Sequence, residues 1–427
     1  MRRSFAAKAT VGEADGYRMD VPRRDLALAV LVAGSCALLL GAMGLLTPAF
    51  TDYELEAEPS LQALRAGDLL SFLQQAPSYG GSLLLRSPFV FLPDLWGGGD
   101  LALFRSMAAP CLAAAALLAV VLWRHARALG CSRATGWIAL VLVAANPLTL
   151  RALEIGHPEE ILGAVFCVAA VLAAGRERVL LAGVLLGLAI ANKPWAVLAV
   201  VPLLAIAGAG WWRLLGAAGL TATIVMAPLM VGGGAIEEAS HVARNSSTIF
   251  QPWQVWWFLG DTGEVVIGPH GEKPGYRVPP GWLPGVSHFL VVLIPTAIGL
   301  ALLPLLRRRS WHDGLLLFAF VMLLRCVLDP WNVSYYALPF LFALVAWEVH
   351  AERRPPVMSL AATLLCWITL VSLPGAVSPD LQAVAYLAWS LPLAAFMAVR
   401  LVAPHRRFVV APPPGVKVRL PRADLGA

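Results

Sequence analysis

Continuous apolar runs of about 20 residues, clearest at Leu26–Leu46, Leu101–Trp123 and Val286–Leu306, recur along the chain between short polar connections. At a rise of about 1.5 Å per residue, a run of that length matches the roughly 30 Å of hydrocarbon in a bilayer. The runs are apolar throughout instead of alternating, and backbone in lipid must satisfy its own hydrogen bonds, so the pattern predicts helices and not a barrel. Twelve spans are predicted, near 26–46, 101–123, 135–150, 159–174, 179–192, 195–210, 214–231, 286–306, 314–328, 333–349, 357–374 and 381–401. Several are short, and the pair flanking Lys193 and Pro194 also reads as one re-entrant hairpin, so the expected fold is an all-α polytopic membrane protein with about 10–13 transmembrane helices.

Composition agrees with the pattern: 59% of the 427 residues are hydrophobic and 14% are charged, with a mean hydropathy of +0.73. A soluble domain could not hide that much apolar surface. Most of the 32 Lys and Arg fall in every second connection, in clusters at Arg23 and Arg24, Arg124–Arg133, Arg176 and Arg178, Arg307–Arg309, Arg353 and Arg354, and Arg406 and Arg407. Basic loops mark the cytoplasmic side, which predicts a multi-pass plasma-membrane protein with both termini inside. The net charge of +6 is then a topology signal and a modest attraction to anionic lipid. No basic, aromatic domain stands outside the bundle, so no nucleic-acid partner is expected.

The expected organisation is a cytoplasmic tail over 1–25, a transmembrane domain over 26–402 and a second cytoplasmic tail over 403–427. The first apolar run exceeds a signal-peptide core and reads as an anchor. Five of the six cysteines lie within spans and Cys131 lies on the inside, with neither a disulfide framework nor zinc spacing. No cofactor is called for, although the acidic first loop leaves room for a divalent metal. Two external loops are long, near 47–100 and 232–284. In the first, Leu61, Leu64, Leu69, Phe72 and Leu73 have the spacing of helix lying along the interface.

Three polar groups gather at outer membrane boundaries. Asp52 and Glu54 stand just beyond the first span, where a carboxylate is either a solvated loop end or a general base for a hydroxyl. The stretch Asn146-Pro147-Leu148-Thr149-Leu150-Arg151-Ala152-Leu153-Glu154-Ile155-Gly156-His157-Pro158-Glu159-Glu160 packs five ionisable groups into one short external turn. Charge beside hydrocarbon costs free energy unless paired or hydrated, so Arg151, His157, Glu159 and Glu160 are candidate substrate-binding groups; the alternative for the two glutamates is a favourable helix N-terminus. Lys193, ahead of helix-breaking Pro194, either snorkels to the interface or binds a phosphate or carboxylate. Further along, Arg325 one turn before Asp329 predicts a structural ion pair. Trp331, Asn332 and Tyr335 beside it could line a site or form an aromatic belt. In the second long loop, Trp253, Trp256 and Trp257 with His241, Arg244 and Asp261 suit either a sugar ring or an interfacial loop.

The order of these features resembles the integral-membrane glycosyltransferases of the C type, in particular the polyprenyl-phosphate-dependent mannosyltransferase branch of the cell envelope. The residues that carry the resemblance are the acidic position after the first span, Asn146-Pro147 followed by Gly156 and a polar residue, and Gly183-Val184-Leu185-Leu186-Gly187-Leu188-Ala189 leading to Lys193-Pro194. The chain departs from that pattern at Gly156-His157-Pro158-Glu159-Glu160, where Gly-Gln is expected.

The resemblance implies an inverting transfer of one sugar, mannose or similar, from a polyprenyl-phosphate donor to a lipid or glycan acceptor hydroxyl on the outer face. It makes Asp52 the base, with Glu54 as its understudy. Lys193, Arg86 or His157 would stabilise the departing lipid phosphate. The alternatives are a multi-pass transporter or lipid flippase, since intramembrane charge and broken helices also mark substrate pathways, and a structural subunit.

Overall fold

The computed structural model describes residues 22–44, 52–95, 97–232, 250–268, 271–307 and 309–403. The protein is an all-α polytopic membrane fold, 79% helical. Strand structure among the described residues is one antiparallel hairpin, Ile267–Gly268 with Gly271–Glu272, in the second long loop. His241 and Arg244 and the two terminal tails lie outside the described residues.

Helix α1 (Arg23–Met43) precedes the first long loop, which folds into α2 (Glu58–Arg65), α3 (Leu69–Gln75) and α4 (Gly80–Arg86). The bundle continues through α5 (Asp100–Ala128), α6 (Arg133–Ala144), α7 (Pro147–Ile155), α8 (Glu159–Ala174) and α9 (Val179–Asn192). Next come α10 (Val200–Ile206), α11 (Trp211–Gly232) and α12 (Leu283–Leu306). The last four helices are α13 (His312–Leu328), α14 (Leu338–Trp347), α15 (Val357–Trp367) and α16 (Pro379–Val402). Every predicted span overlaps at least one of these helices. Among the described residues, six segments are long and apolar enough to cross a membrane unaided: α1, α5, α6 with α7, the Gly208–Gly232 segment containing α11, α12 and α16.

Burial sorts the helices into a centre and a rim. Helices α8, α13 and α14 are buried almost all round, with Ile161, Phe318 and Phe342 at the centre. Helices α1, α11, α12 and α16 turn large apolar side chains outward, Leu38, Leu220, Phe289 and Val399 among them. An apolar surface of that extent needs lipid against it, and a helix hydrophobic on every side belongs in the interior.

Local sequence explains how the chain delivers its polar groups to one end. Asn146 Oδ1 accepts from the Leu148 N–H and Pro147 occupies the first turn, so the Asn-Pro pair ends α6 and restarts the chain as α7. Helix α9 packs on α11 through Gly183 and Gly187, where a Cβ would stand 2.4 Å from Leu214 O and 2.5 Å from Ala218 O. Two small residues one turn apart allow that backbone approach. Lys193 is extended (φ −150°), the chain turns at Pro194, and Gly210 comes back against Val179. The segments flanking Lys193 are therefore antiparallel arms of a hairpin whose tip carries the lysine. With 14 residues, α9 is about 21 Å long, shorter than a hydrocarbon core of roughly 30 Å.

The first long loop supplies a second, smaller core. Tyr53, Leu61, Phe72, Leu83 and Val90 pack on Leu103, Phe104 and Met107 of α5 and on Leu229 of α11. The interfacial helix expected over 59–75 forms as two helices, with Leu61, Phe72 and Leu73 facing inward and Leu69 and Leu70 outward. This second core clamps the loop over one end of the bundle, directly above the turn between α7 and α8.

Candidate functional site: an ion network under the first loop

Gly156 brings the first loop and the α7–α8 turn together. It ends α7 in the left-handed region (φ +99°), and a Cβ there would lie 2.7 Å from the Tyr53 backbone nitrogen. Only glycine provides that conformation and that approach at once. The residue after it, His157, consequently sits under Asp52, at the head of the π-type turn Tyr53–Ala57.

His157 bridges two carboxylates. Its Nε2 lies 3.1 Å from Asp52 Oδ2 and its Nδ1 lies 2.7 Å from Glu159 Oε1. A carboxylate only accepts, so both contacts are satisfied when both ring nitrogens carry protons. Burial alone would push the imidazole pKa down, but the Glu159 charge and the two hydrogen bonds outweigh it, raising the pKa to about 9. His157 is thus a buried imidazolium at neutral pH.

Glu159 is the hub and is only 1% exposed. Lys193 Nζ lies 3.0 Å from its Oε1 and 3.5 Å from Glu160 Oε1, while Arg86 Nη2 lies 3.5 Å from Glu159 Oε2. Asp52, Glu159 and Glu160 therefore face His157, Lys193 and Arg86, three acids against three bases. Such a balance is required, because an unpaired charge removed from water is strongly unfavourable.

Neutral groups hold the ions in place. Asn192 Nδ2 donates to the Glu159 carbonyl at 2.8 Å, and its Oδ1 accepts from Ser82 Oγ at 2.7 Å, tying α4, α8 and α9 at one point. Trp195 Nε1 donates to Glu160 Oε2 at 2.9 Å. Lys193 Nζ sits 4.1 Å from the centroid of the Tyr79 ring, and His157 packs between the rings of Tyr79 and Tyr335. Glu56 is exposed and lies beside Tyr79, within reach of the His157 and Lys193 charges.

The geometry sorts the residues singled out in the sequence. Asp52, Arg86, His157, Glu159, Glu160, Lys193 and Tyr335 meet. Glu54 is exposed and joins no ion pair among the described residues. Arg151 pairs with Glu154 along α7 and lies outside the network. Asn332 donates to the Trp253 carbonyl at 2.8 Å and fastens the second long loop to the bundle, and half-buried Trp331 only donates its backbone N–H to Asp329 Oδ1.

One expected pairing is corrected. Arg325 forms no salt bridge with Asp329; its guanidinium stacks 4.0 Å from the centroid of Tyr336 and 5.4 Å from that of Trp195. In the second loop, Trp257 Nε1 donates to Asp380 and Trp256 Nε1 to the Leu328 carbonyl. Asp261 is exposed and pairs through its backbone with Val278. Arg86 is buried; its Nε donates to the Ser82 carbonyl at 3.2 Å and its Nη1 to the Met107 carbonyl at 3.0 Å. It positions Glu159 and is not free for a phosphate.

Sequence reasoning missed Tyr79, Ser82, Asn192 and Trp195. The one signal available for them was proximity to a costly charge, since Asn192 and Trp195 flank Lys193-Pro194.

Of the six paired ions, Asp52 is the most exposed, its side chain 39% exposed, with Oδ2 on the imidazolium and no hydrogen bond at Oδ1 among the described residues. The arrangement is a carboxylate held in a fixed direction at the mouth of a buried ion network. Among the described residues, no group of three or more His, Cys, Asp or Glu has the geometry to hold a metal ion.

A second feature opens nearby. Between α1 and α5 runs an apolar groove of about 670 Å³, lined by Ala33, Gly34, Ala37 and Gly41 on one wall and Ala109, Leu112 and Ala116 on the other. Leu153 of α7 and Arg105 also line it. Compared with known proteins, the sequence matches no family model and no curated protein.

Proposed function

We propose that the protein transfers a sugar, mannose or a similar hexose, from a polyprenyl-phosphate donor to a hydroxyl of a lipid or glycan acceptor on the outer face. The observation that carries the reading is the Asp52–His157–Glu159 chain, which ends in an outward-facing carboxylate of fixed orientation. Asp52 removes the proton of the acceptor hydroxyl; the oxygen attacks the anomeric carbon from the side opposite the phosphate; the carbon–oxygen bond to phosphate breaks, and the electron pair leaves with the lipid phosphate. The configuration inverts.

The contact from His157 Nε2 keeps Asp52 aimed, while the ammonium of Lys193, less buried than Arg86, is the cation best able to meet the phosphate as its charge grows. The small-residue groove between α1 and α5 has the size and apolar lining for part of an isoprenoid chain, with Arg105 in its wall as a phosphate partner.

Full-length protein in lipid vesicles, supplied with labelled mannosyl polyprenyl phosphate and a crude envelope-lipid acceptor, tests this reading. Sugar transferred to the acceptor supports it. Movement of the donor across the bilayer with no sugar transfer supports a flippase instead.

A further inference from the structure

At the end of the bundle opposite the Asp52 site lies a larger cavity, about 1000 Å³, between α1, α5, α8 and α9. Its walls are apolar, with Leu117, Val121, Phe166, Ala169, Leu181 and Leu185 among them. Its rim is basic: Arg124 and His125 near the end of α5, and Arg176 and Arg178 just beyond α8. None of the described residues lining it is acidic. Glu177, between the two arginines, does not line it, and no ion pair neutralises Arg176 or Arg178 among the described residues.

The position of Arg176 is fixed without a carboxylate. Its Nη1 donates to the Leu172 carbonyl at 3.2 Å and its Nη2 contacts His125 Nε2. A guanidinium only donates, so His125 Nε2 accepts and the ring carries its proton on Nδ1. That proton goes to His350 Nε2 at 3.1 Å, and His350 Nδ1 in turn donates to the Ala346 carbonyl at 2.7 Å. The chain Arg176, His125, His350, Ala346 runs in one direction and leaves both histidines neutral. It holds a full positive charge at the mouth of an apolar cavity and provides nothing to cancel it.

We propose that this cavity binds an anionic phospholipid, with its phosphate between Arg124, Arg176 and Arg178 and one acyl chain along α5 and α8. Charge complementarity chooses the occupant. A zwitterionic lipid would bring its own cation to the rim, the segment before α1, with four basic and three acidic residues, has no net negative charge to answer it, and an apolar helix of another protein would leave the arginines unanswered. The site lies at the far end of α8, about 24 Å from Glu159 along a 16-residue helix, so it does not depend on the sugar-transfer reading.

Native mass spectrometry of the full-length protein, stripped in neutral detergent and titrated with phosphatidylglycerol or phosphatidylcholine of matched chains, tests the proposal. Phosphatidylglycerol should be retained at concentrations about tenfold or more below those needed for phosphatidylcholine, given about 1 kcal/mol per basic residue near an anionic surface. The double variant Arg176→Gln/Arg178→Gln should lose that preference while Arg176→Lys/Arg178→Lys keeps it, which separates lost charge from misfolding. Ala169→Trp should weaken retention by filling the cavity. Equal retention of the two lipids by the native protein, or an unchanged preference in the glutamine variant, would overturn the proposal. So would full competition by glycerophosphoglycerol, which has the headgroup and no chains.

Discussion

His157 Nε2 lies 3.1 Å from Asp52 Oδ2, although 104 residues separate the two positions in the chain and only one of them is buried. The contact couples the outward carboxylate to the buried ion network, and most of what the protein is expected to do under perturbation follows from it.

The coupling has a pH signature. The folded-state pKa of His157 is raised from 6.5 to about 9, so protonation favours the folded form. The corresponding stability is fully present below about pH 6.5 and is lost as pH rises through about 9. Thermal unfolding of the protein in lipid discs should show the midpoint falling over that window, and His157→Gln should flatten the fall. A midpoint that rises between pH 7 and 9 would contradict the assignment of an imidazolium.

Glu159→Gln should be among the most damaging single changes, because it leaves Lys193, Arg86 and His157 facing a neutral group in a buried site. The expected cost is about 3–5 kcal/mol of folding stability. Glu54→Gln, on an exposed neighbour of Asp52, should stay within about 0.5 kcal/mol of the native protein. Denaturant unfolding in mixed micelles compares the two.

Gly156→Ala adds a methyl group where φ is +99° and the Tyr53 nitrogen would be 2.7 Å away. The backbone conformation alone costs on the order of 1–3 kcal/mol, and relief of the clash must push Asp52 away from His157. Stability should fall modestly and sugar transfer sharply. Transfer at the native rate would show that the Asp52–His157 distance is immaterial.

Trp257→Phe should separate structure from recognition in the second long loop. The indole N–H donates to Asp380 at 2.7 Å, and losing a hydrogen bond to a charged group costs about 1.5–3 kcal/mol. A lowered unfolding midpoint with unchanged donor KM is the expected outcome; a raised KM with unchanged stability would return the tryptophan to the sugar site.

The helical fold was legible because lipid imposes one rule on every spanning segment, and runs such as Leu101–Trp123 state it plainly. The ion network was legible for a related reason: Glu159, Glu160 and Lys193 stand beside apolar runs, where an unpaired charge is too costly to be incidental. What a sequence cannot supply is pairing. Arg86 reads as a phosphate ligand until the Ser82 and Met107 carbonyls are seen to occupy it, and Arg325 reads as a partner of Asp329 one turn away until Tyr336 is seen under its guanidinium. Asn332 and Trp257 looked like ligand contacts for the same reason, since a polar group that fastens a loop and one that binds a sugar are the same residue types. The basic cavity was hidden more deeply, because His125 and His350 are 225 residues apart and meet only in the fold.

The most direct test of the central claim is sugar transfer from mannosyl polyprenyl phosphate by the full-length protein in vesicles, comparing the native chain with Asp52→Asn. The amide keeps the shape and the contact to His157 but cannot take a proton, so transfer should fall by about 10²-fold or more while donor binding and the unfolding midpoint stay close to native. Undiminished transfer by Asp52→Asn would contradict the assignment of Asp52 as the base.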